Sequence, residues 1–332
     1  MAYTAIDDPT LYFSATLWTG NGVNDTEIVV DGTGMQPDMI WVKKRTNDAS
    51  DNVIIDDIRG VNKILYPNTT EAQTSESAYL NAFNSDGFDV GTAGRLNEDT
   101  DTYVGWTWKE SATAGFDMLP YAGNGTDDTD ISHNLSAVPE MIIIKNYDAA
   151  DAWQVYHGAN TSEPETDYLE LNENSATADA ADRWSDEAPT SSVFTIGDAD
   201  EVNTNTEDYI AYCFAGKQGF SKFGSYVGTG NADGTFVYTG FRVAWVMIKR
   251  TDTTKSWIIN DNKRSGYNGG TFDLYPNLTN VEDTNSGFDL LSNGFKLRAT
   301  SSNKNASGGT YIYAAFADAP FVNSNGVPCN AR

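Results

Sequence analysis

The sequence predicts an all-β protein of three tandem β-sandwich, jelly-roll-like repeats, each about 100 of the 332 residues long. Three observations lead there. Threonine occurs 35 times against 14 leucines and aromatic residues make up 12%, a balance that favours half-buried strands over helices. The 29 glycines, with Asn, Asp and Pro, cut the apolar segments into runs of four to seven residues, as in short strands joined by turns. Finally, one series of elements occurs three times, which sets the architecture.

Each unit opens with a glycine turn, Thr19-Gly20-Asn21-Gly22, then Ala122-Gly123-Asn124-Gly125, then Thr229-Gly230-Asn231-Ala232. An apolar strand ending in lysine follows: Pro37 to Lys43, Pro139 to Lys145, and Val243 to Lys249. A shorter strand comes next, Val53 to Asp57, Trp153 to Tyr156, and Trp257 to Asp261. Leu65-Tyr66-Pro67-Asn68 and Leu274-Tyr275-Pro276-Asn277 are matching turns, with Leu169-Glu170-Leu171-Asn172 between them in the middle unit. Asp86-Gly87-Phe88 matches Asn293-Gly294-Phe295, with Phe194 at the corresponding place in the middle unit. The closing strands put Val104, Trp106 and Trp108, then Ile210, Tyr212 and Phe214, then Ile312, Ala314 and Phe316 on one face. These faces are expected to be three separate cores, with Trp41, Ile143 and Met247 in equivalent places. The units are set at residues 12–110, 115–217 and 218–321, with terminal arms at 1–11 and 322–332 ordered by contacts rather than by their own packing. Short helices are expected at about Ser75 to Asn84 and Ala176 to Trp184.

A net charge of −26 repels polyphosphates and anionic lipid, so nucleic-acid and membrane-surface binding are not expected. No apolar run approaches the ~20 residues of a membrane span. The charge is uneven: residues 1–114 carry −11, 115–217 carry −18, and 218–332 carry +3. The third unit is therefore the predicted docking end, with Arg242, Lys249, Arg250, Lys263 and Arg264 as its surface. The first basic residue is Lys43 and no apolar stretch precedes it, so the N-terminus does not read as a secretory signal.

No catalytic, cofactor-binding or metal-ligating set is predicted. His133 and His157 have no metal-ligand spacing and read as solvated loop residues. Gly-x-Ser-x-Gly, P-loop and dinucleotide-binding patterns are missing. The acidic clusters Asp127 to Asp130, Asn97 to Asp101 and Asp198 to Glu201 are candidate oxygen ligands for Ca²⁺, without EF-hand spacing, and read as solvated turns. Cys213 and Cys329 read as one packed thiol and one tail thiol. A glycan-degrading hydrolase needs only two carboxylates across a groove, and it stands as an alternative reading.

The opening Tyr3-Thr4-Ala5-Ile6-Asp7-Asp8-Pro9, with Trp18 to Gly22, Gln36 to Lys43 and Asp57-Ile58-Arg59-Gly60, resembles the tail-fibre-like or virion structural repeat proteins of marine bacteriophages. The C-terminal Tyr311 to Phe321 and Asn330-Ala331-Arg332 resemble the same group, while the middle unit is divergent. The resemblance implies a non-enzymatic virion protein assembled in the host cytoplasm. Its expected role is a tail fibre or adhesin, with a head-bound capsid decoration protein as the alternative. The implied partners are a tail hub or capsid, further copies of the chain as a trimer, and a host-surface glycan or protein receptor.

Overall fold

The computed structural model describes residues 3–32, 34–264, 268, 272–284 and 287–329. The protein is nearly all β, and each unit has one four-stranded antiparallel arrangement in the same spatial order. In the first unit the order is Phe13–Thr19, Thr102–Trp108, Met39–Lys44, Val53–Asp56. In the second it is Phe116–Ala122, Asp208–Phe214, Met141–Asn146, Gln154–His157, extended by Asp167–Glu170 and Ala178–Asp179. The third repeats it with Ser221–Val227, Thr310–Pro320, Phe241–Arg250 and Ile258–Asp261. Trp41 pairs with Trp106, Ile143 with Tyr212, and Met247 with Ala314, so those three residues are equivalent.

The lysine-ending strands are buried along their whole length because they are covered on both faces. Outward, Ile40 and Val42 pack with Ile28 and Phe88, and Ile142 and Ile144 pack with Phe194 and Ile196. A small outer sheet supplies those partners: Thr26–Val29 with Gly87–Val90 and Leu80–Asn84, and Thr129–Ser132 with Val193–Ile196. The third unit's outer sheet is Phe236–Tyr238, Gly294–Leu297 and Phe288–Leu291.

Inward, the expectation of three separate cores is corrected. The apolar faces of all three main sheets meet in one central core that holds Trp41, Trp106 and Trp108 together with Ile143, Tyr212, Phe214, Trp245, Met247 and Phe316. Alternation in a strand shows that a face is apolar, but not which surface covers it. At the centre, where the three sheets converge, a void of only about 20 Å³ remains, room for a single water at most.

The units are also interlocked in a ring through the loops that follow their second strands. Gln73 donates its backbone N–H to Tyr147, Thr177 to Thr251, and Glu282 to Arg45, each at 2.9–3.1 Å. Trp153 Nε1 donates to Tyr66 O at 3.2 Å, and Trp257 Nε1 to Glu170 O at 2.9 Å. Asn52 stands at that position in the first unit and donates to Tyr275 O at 3.0 Å. The Asn52 side-chain oxygen accepts the Trp41 indole N–H at 3.2 Å, which orients the amide towards the third unit.

Other sequence expectations are revised. Leu80–Asn84 is a strand and not a helix, because pairing with Gly87–Val90 overrides local propensity. Of the second helix only Ala181–Trp184 is helical. The third glycine turn is two residues earlier than the repeat spacing suggests. Gly20, Gly123 and Gly228 are equivalent, since a side chain on any of them would strike the backbone carbonyl of Glu98, Thr204 or Ala306. The asparagine between the glycines contributes its backbone N–H, which Thr229 supplies equally well. Asn21, Asn124 and Thr229 all donate to a fully buried asparagine, Asn97, Asn203 or Asn305, at 2.8–2.9 Å. The N-terminal arm is held by contacts with the rest of the chain, with Ile6 packed in the central core. Asp7 accepts the Ser324 N–H at 2.7 Å and ties the two arms together. Asn330, Ala331 and Arg332 lie outside the described residues.

Candidate functional site

The repeated lysines show how the buried polar groups are used. Lys43, Lys145 and Lys249 are fully buried, each with its ammonium aimed at main-chain carbonyls of a neighbouring unit. Lys43 reaches Thr279 O at 2.9 Å, Lys145 reaches Thr70 O at 3.0 Å, and Lys249 reaches Asn174 O at 3.3 Å. Burial pushes each ammonium down to about 8.

One strand further on, Asp56 pairs with Arg59 at 2.6 Å and accepts the Tyr212 hydroxyl of the second unit at 2.7 Å. Asp261 pairs with Arg264 at 2.6 Å and accepts the Trp106 indole of the first unit at 3.0 Å. Burial alone would raise the Asp261 carboxyl, but Arg264 holds it below its ordinary range. His157 occupies the corresponding place in the second unit. Its Nδ1 accepts the Ala159 N–H, so the neutral ring donates from Nε2 to Tyr313 O at 3.1 Å. Burial lowers its pKa to about 4. His133 is also buried, so neither histidine is the solvated loop residue expected.

The predicted docking surface is not formed. Lys249 and Arg264 are buried in the unit junctions just described. Arg242 is paired with Asp318, Arg250 with Asp252, and Lys263 with Asp31 of the first unit. Lys263 joins the third unit to the first while Arg242 and Arg250 are paired within the third, so its positive count does not translate into an open basic patch. The acidic clusters are similarly engaged. Asp101 is buried and paired with Lys44, Asp127 accepts from Ser185, and Asp130 accepts from Thr195. Among the described residues no three His, Cys, Asp or Glu side chains converge as a metal site.

One acidic group lies between the first two units. Asp38 accepts the Glu110 N–H at 2.7 Å, and Glu110 is hydrogen-bonded to Asp117. Burial, then the Asp117 contact, raises Glu110 to about 7. Two carboxyl groups in direct contact are closer than the roughly 5 Å needed to flank a glycosidic bond. Since Glu110 titrates higher in the folded chain than unfolded, its stabilising contribution is complete below the unfolded pKa and is lost as pH rises towards 7. Glu110→Gln should therefore raise the melting temperature relative to the native chain at pH 7.5 and do so less at pH 4.5. An equal shift at both pH values would contradict this protonation.

The clearest difference between units is on the outer sheets. The first edge strand exposes Glu27 and Val29, and the second exposes Asp130. The third exposes Phe236 and Tyr238 at 44% and 47%, with Val237 buried between them. Lys296 sits directly across from Phe236. Tyr238 is fixed by its hydroxyl, 3.2 Å from that of Tyr3, and by Lys222, which donates to its carbonyl at 2.7 Å. The sequence signal was available in the comparison of Glu27-Ile28-Val29, Asp130-Ile131-Ser132 and Phe236-Val237-Tyr238, since the alternation is kept while the outward pair changes from Glu and Val, or Asp and Ser, to Phe and Tyr.

A family model described as "Domain of unknown function (DUF7483)" matches residues 8–320, and the chain belongs to that family. The match covers all three sheets, as expected for units that share one core. No curated protein and no solved structure matches the chain.

Proposed function

We propose that the chain is a non-enzymatic bacteriophage virion protein, a tail-fibre or adhesin module that presents a rigid β block to the host surface. The observation that carries this reading is the closed ring of inter-unit contacts. Three buried lysines, two Asp–Arg pairs and His157 are all committed to holding units together. That use of buried charge suits a displayed part that must stay folded outside a cell. The resemblance at both ends of the chain to phage tail-fibre-like proteins supports the same reading. So does the acidity, because charges of one sign keep displayed particles apart in saline water. The partners are other virion proteins, at the tail hub, and further copies of the chain.

The test is the number and position of copies in purified particles, by quantitative mass spectrometry and immunogold labelling. A few copies confined to the tail are expected. A population spread over the head would replace the fibre with a decoration protein, and absence from the particles would overturn both.

A further inference from the structure

We infer that the outer face of the third unit binds a carbohydrate chain by stacking sugar rings on Phe236 and Tyr238. The inference rests on the attachment reading above and names the receptor chemistry. The three units give an internal comparison, because the fold presents an equivalent outer sheet three times and only one is aromatic. The chain has 8 Trp, 17 Tyr and 15 Phe, yet among the described residues Phe236 and Tyr238 are the aromatic side chains left exposed. They lie two residues apart on one face of an edge strand, so their rings are spaced by roughly 7 Å along the surface. Gly294, opposite Tyr238, has no side chain to cover the second ring.

A pyranose has an apolar C–H face and a hydroxyl edge, and both have complements here. Phe236 offers flat apolar surface, and Tyr238 offers the ring face opposite the Lys222 ammonium, which sits 5.5 Å from its centroid. Lys296, Asp233 and Arg298, joined in ion pairs at 2.5 and 2.9 Å, provide charged hydrogen-bonding groups beside Phe236. Tyr238 is held in place before any ligand arrives, which reduces the ordering cost of binding. A protein partner fits less well. The two exposed rings amount to roughly 200 Å², far below the ~800 Å² that each side of a stable protein interface contributes. Charge also favours this unit as the one nearest a host surface. Bacterial envelopes are anionic, and a chain whose other units carry −11 and −18 approaches most easily with its +3 unit foremost.

The test is affinity electrophoresis of the full chain through gels containing dextran, laminarin or alginate, two neutral polysaccharides and one anionic. Retardation by at least one is expected. Phe236→Ala/Tyr238→Ala should weaken it by about tenfold or more, while Phe236→Tyr should retain it. Glu27→Ala/Asp130→Ala, on the equivalent faces, should leave it unchanged. Both rings lie on the outer face of an edge strand, so the double alanine variant should keep the native far-ultraviolet circular dichroism and a single cooperative unfolding transition. Failure of all three polysaccharides to retard the native chain, or equal retardation of the double alanine variant, would overturn the inference. Self-association that the double variant abolishes, without polysaccharide binding, would also overturn it and assign the face to a second copy. Polysaccharide binding by a chain absent from virions would refute the virion reading alone. Virion incorporation without binding would refute the carbohydrate face alone.

Discussion

Truncating Phe316 to alanine should cost about 3–5 kcal/mol and leave a single unfolding transition in which all three units melt together. Phe316 is the centre of an aromatic cluster drawn from the whole chain. Its ring stacks on Phe13 at 5.0 Å and lies 5.7 Å from both Trp108 and Trp245. It is 6.0 Å from Phe214 and from Phe223. These neighbours come from all three units, so the cavity left by the ring opens at the shared core and weakens every sheet at once. Calorimetry is the direct measurement, with the van 't Hoff and calorimetric enthalpies agreeing for native and variant chains. Early melting of residues 218–321, with the other two units intact, would show that the units are independent after all. For the same reason an isolated chain of residues 12–110 should not fold, because it would expose Trp41, Trp106 and Trp108 on its inward face.

The repeated series of elements along the chain, the apolar face of each closing strand and the equivalence of Trp41, Ile143 and Met247 could be read from the sequence because they follow from local pattern and alternation. What alternation does not carry is the partner of a buried face. Three faces of one polarity suit three sandwiches or one common core equally well, and only the packing decides. The lysines show the same limit. A basic residue at the end of an apolar strand reads as the solvent-facing edge, yet Lys43, Lys145 and Lys249 are enclosed by carbonyls from the neighbouring unit's loop. Their recurrence at one repeat position was the available signal, since a solvated lysine has no reason to keep its place. The third glycine turn shows a related limit: the backbone clash fixes the glycine, whereas the side-chain acceptor beside it is Asn21 or Asn124 in two units and the Thr229 hydroxyl in the third. Phe236 and Tyr238 were legible only by comparing the same edge strand across three units.

Replacing Arg59 with leucine should destabilise the chain by about 3–5 kcal/mol, the cost of leaving a buried charge without its partner. Asp56 is fully buried and its carboxylate is held by two donors, Arg59 and the Tyr212 hydroxyl across the unit boundary. Arg59 also reaches Gln73 at 3.0 Å, on the first-unit loop whose backbone bonds to Tyr147 of the second unit. Removing the guanidinium therefore strands the carboxylate and loosens the ring at one junction. The second unit shows that the charge is dispensable if both partners are replaced, since His157 fills the same position as a neutral donor to Tyr313 O. Adding Asp56→Asn to Arg59→Leu should accordingly recover more than half of the loss, because the amide keeps an acceptor for Tyr212 without the uncompensated charge. Urea unfolding of the native chain, both single variants and the double variant gives the coupling energy directly. If the two single losses simply add in the double variant, Asp56 and Arg59 are not coupled, and the buried pair contributes nothing specific to the joining of the units.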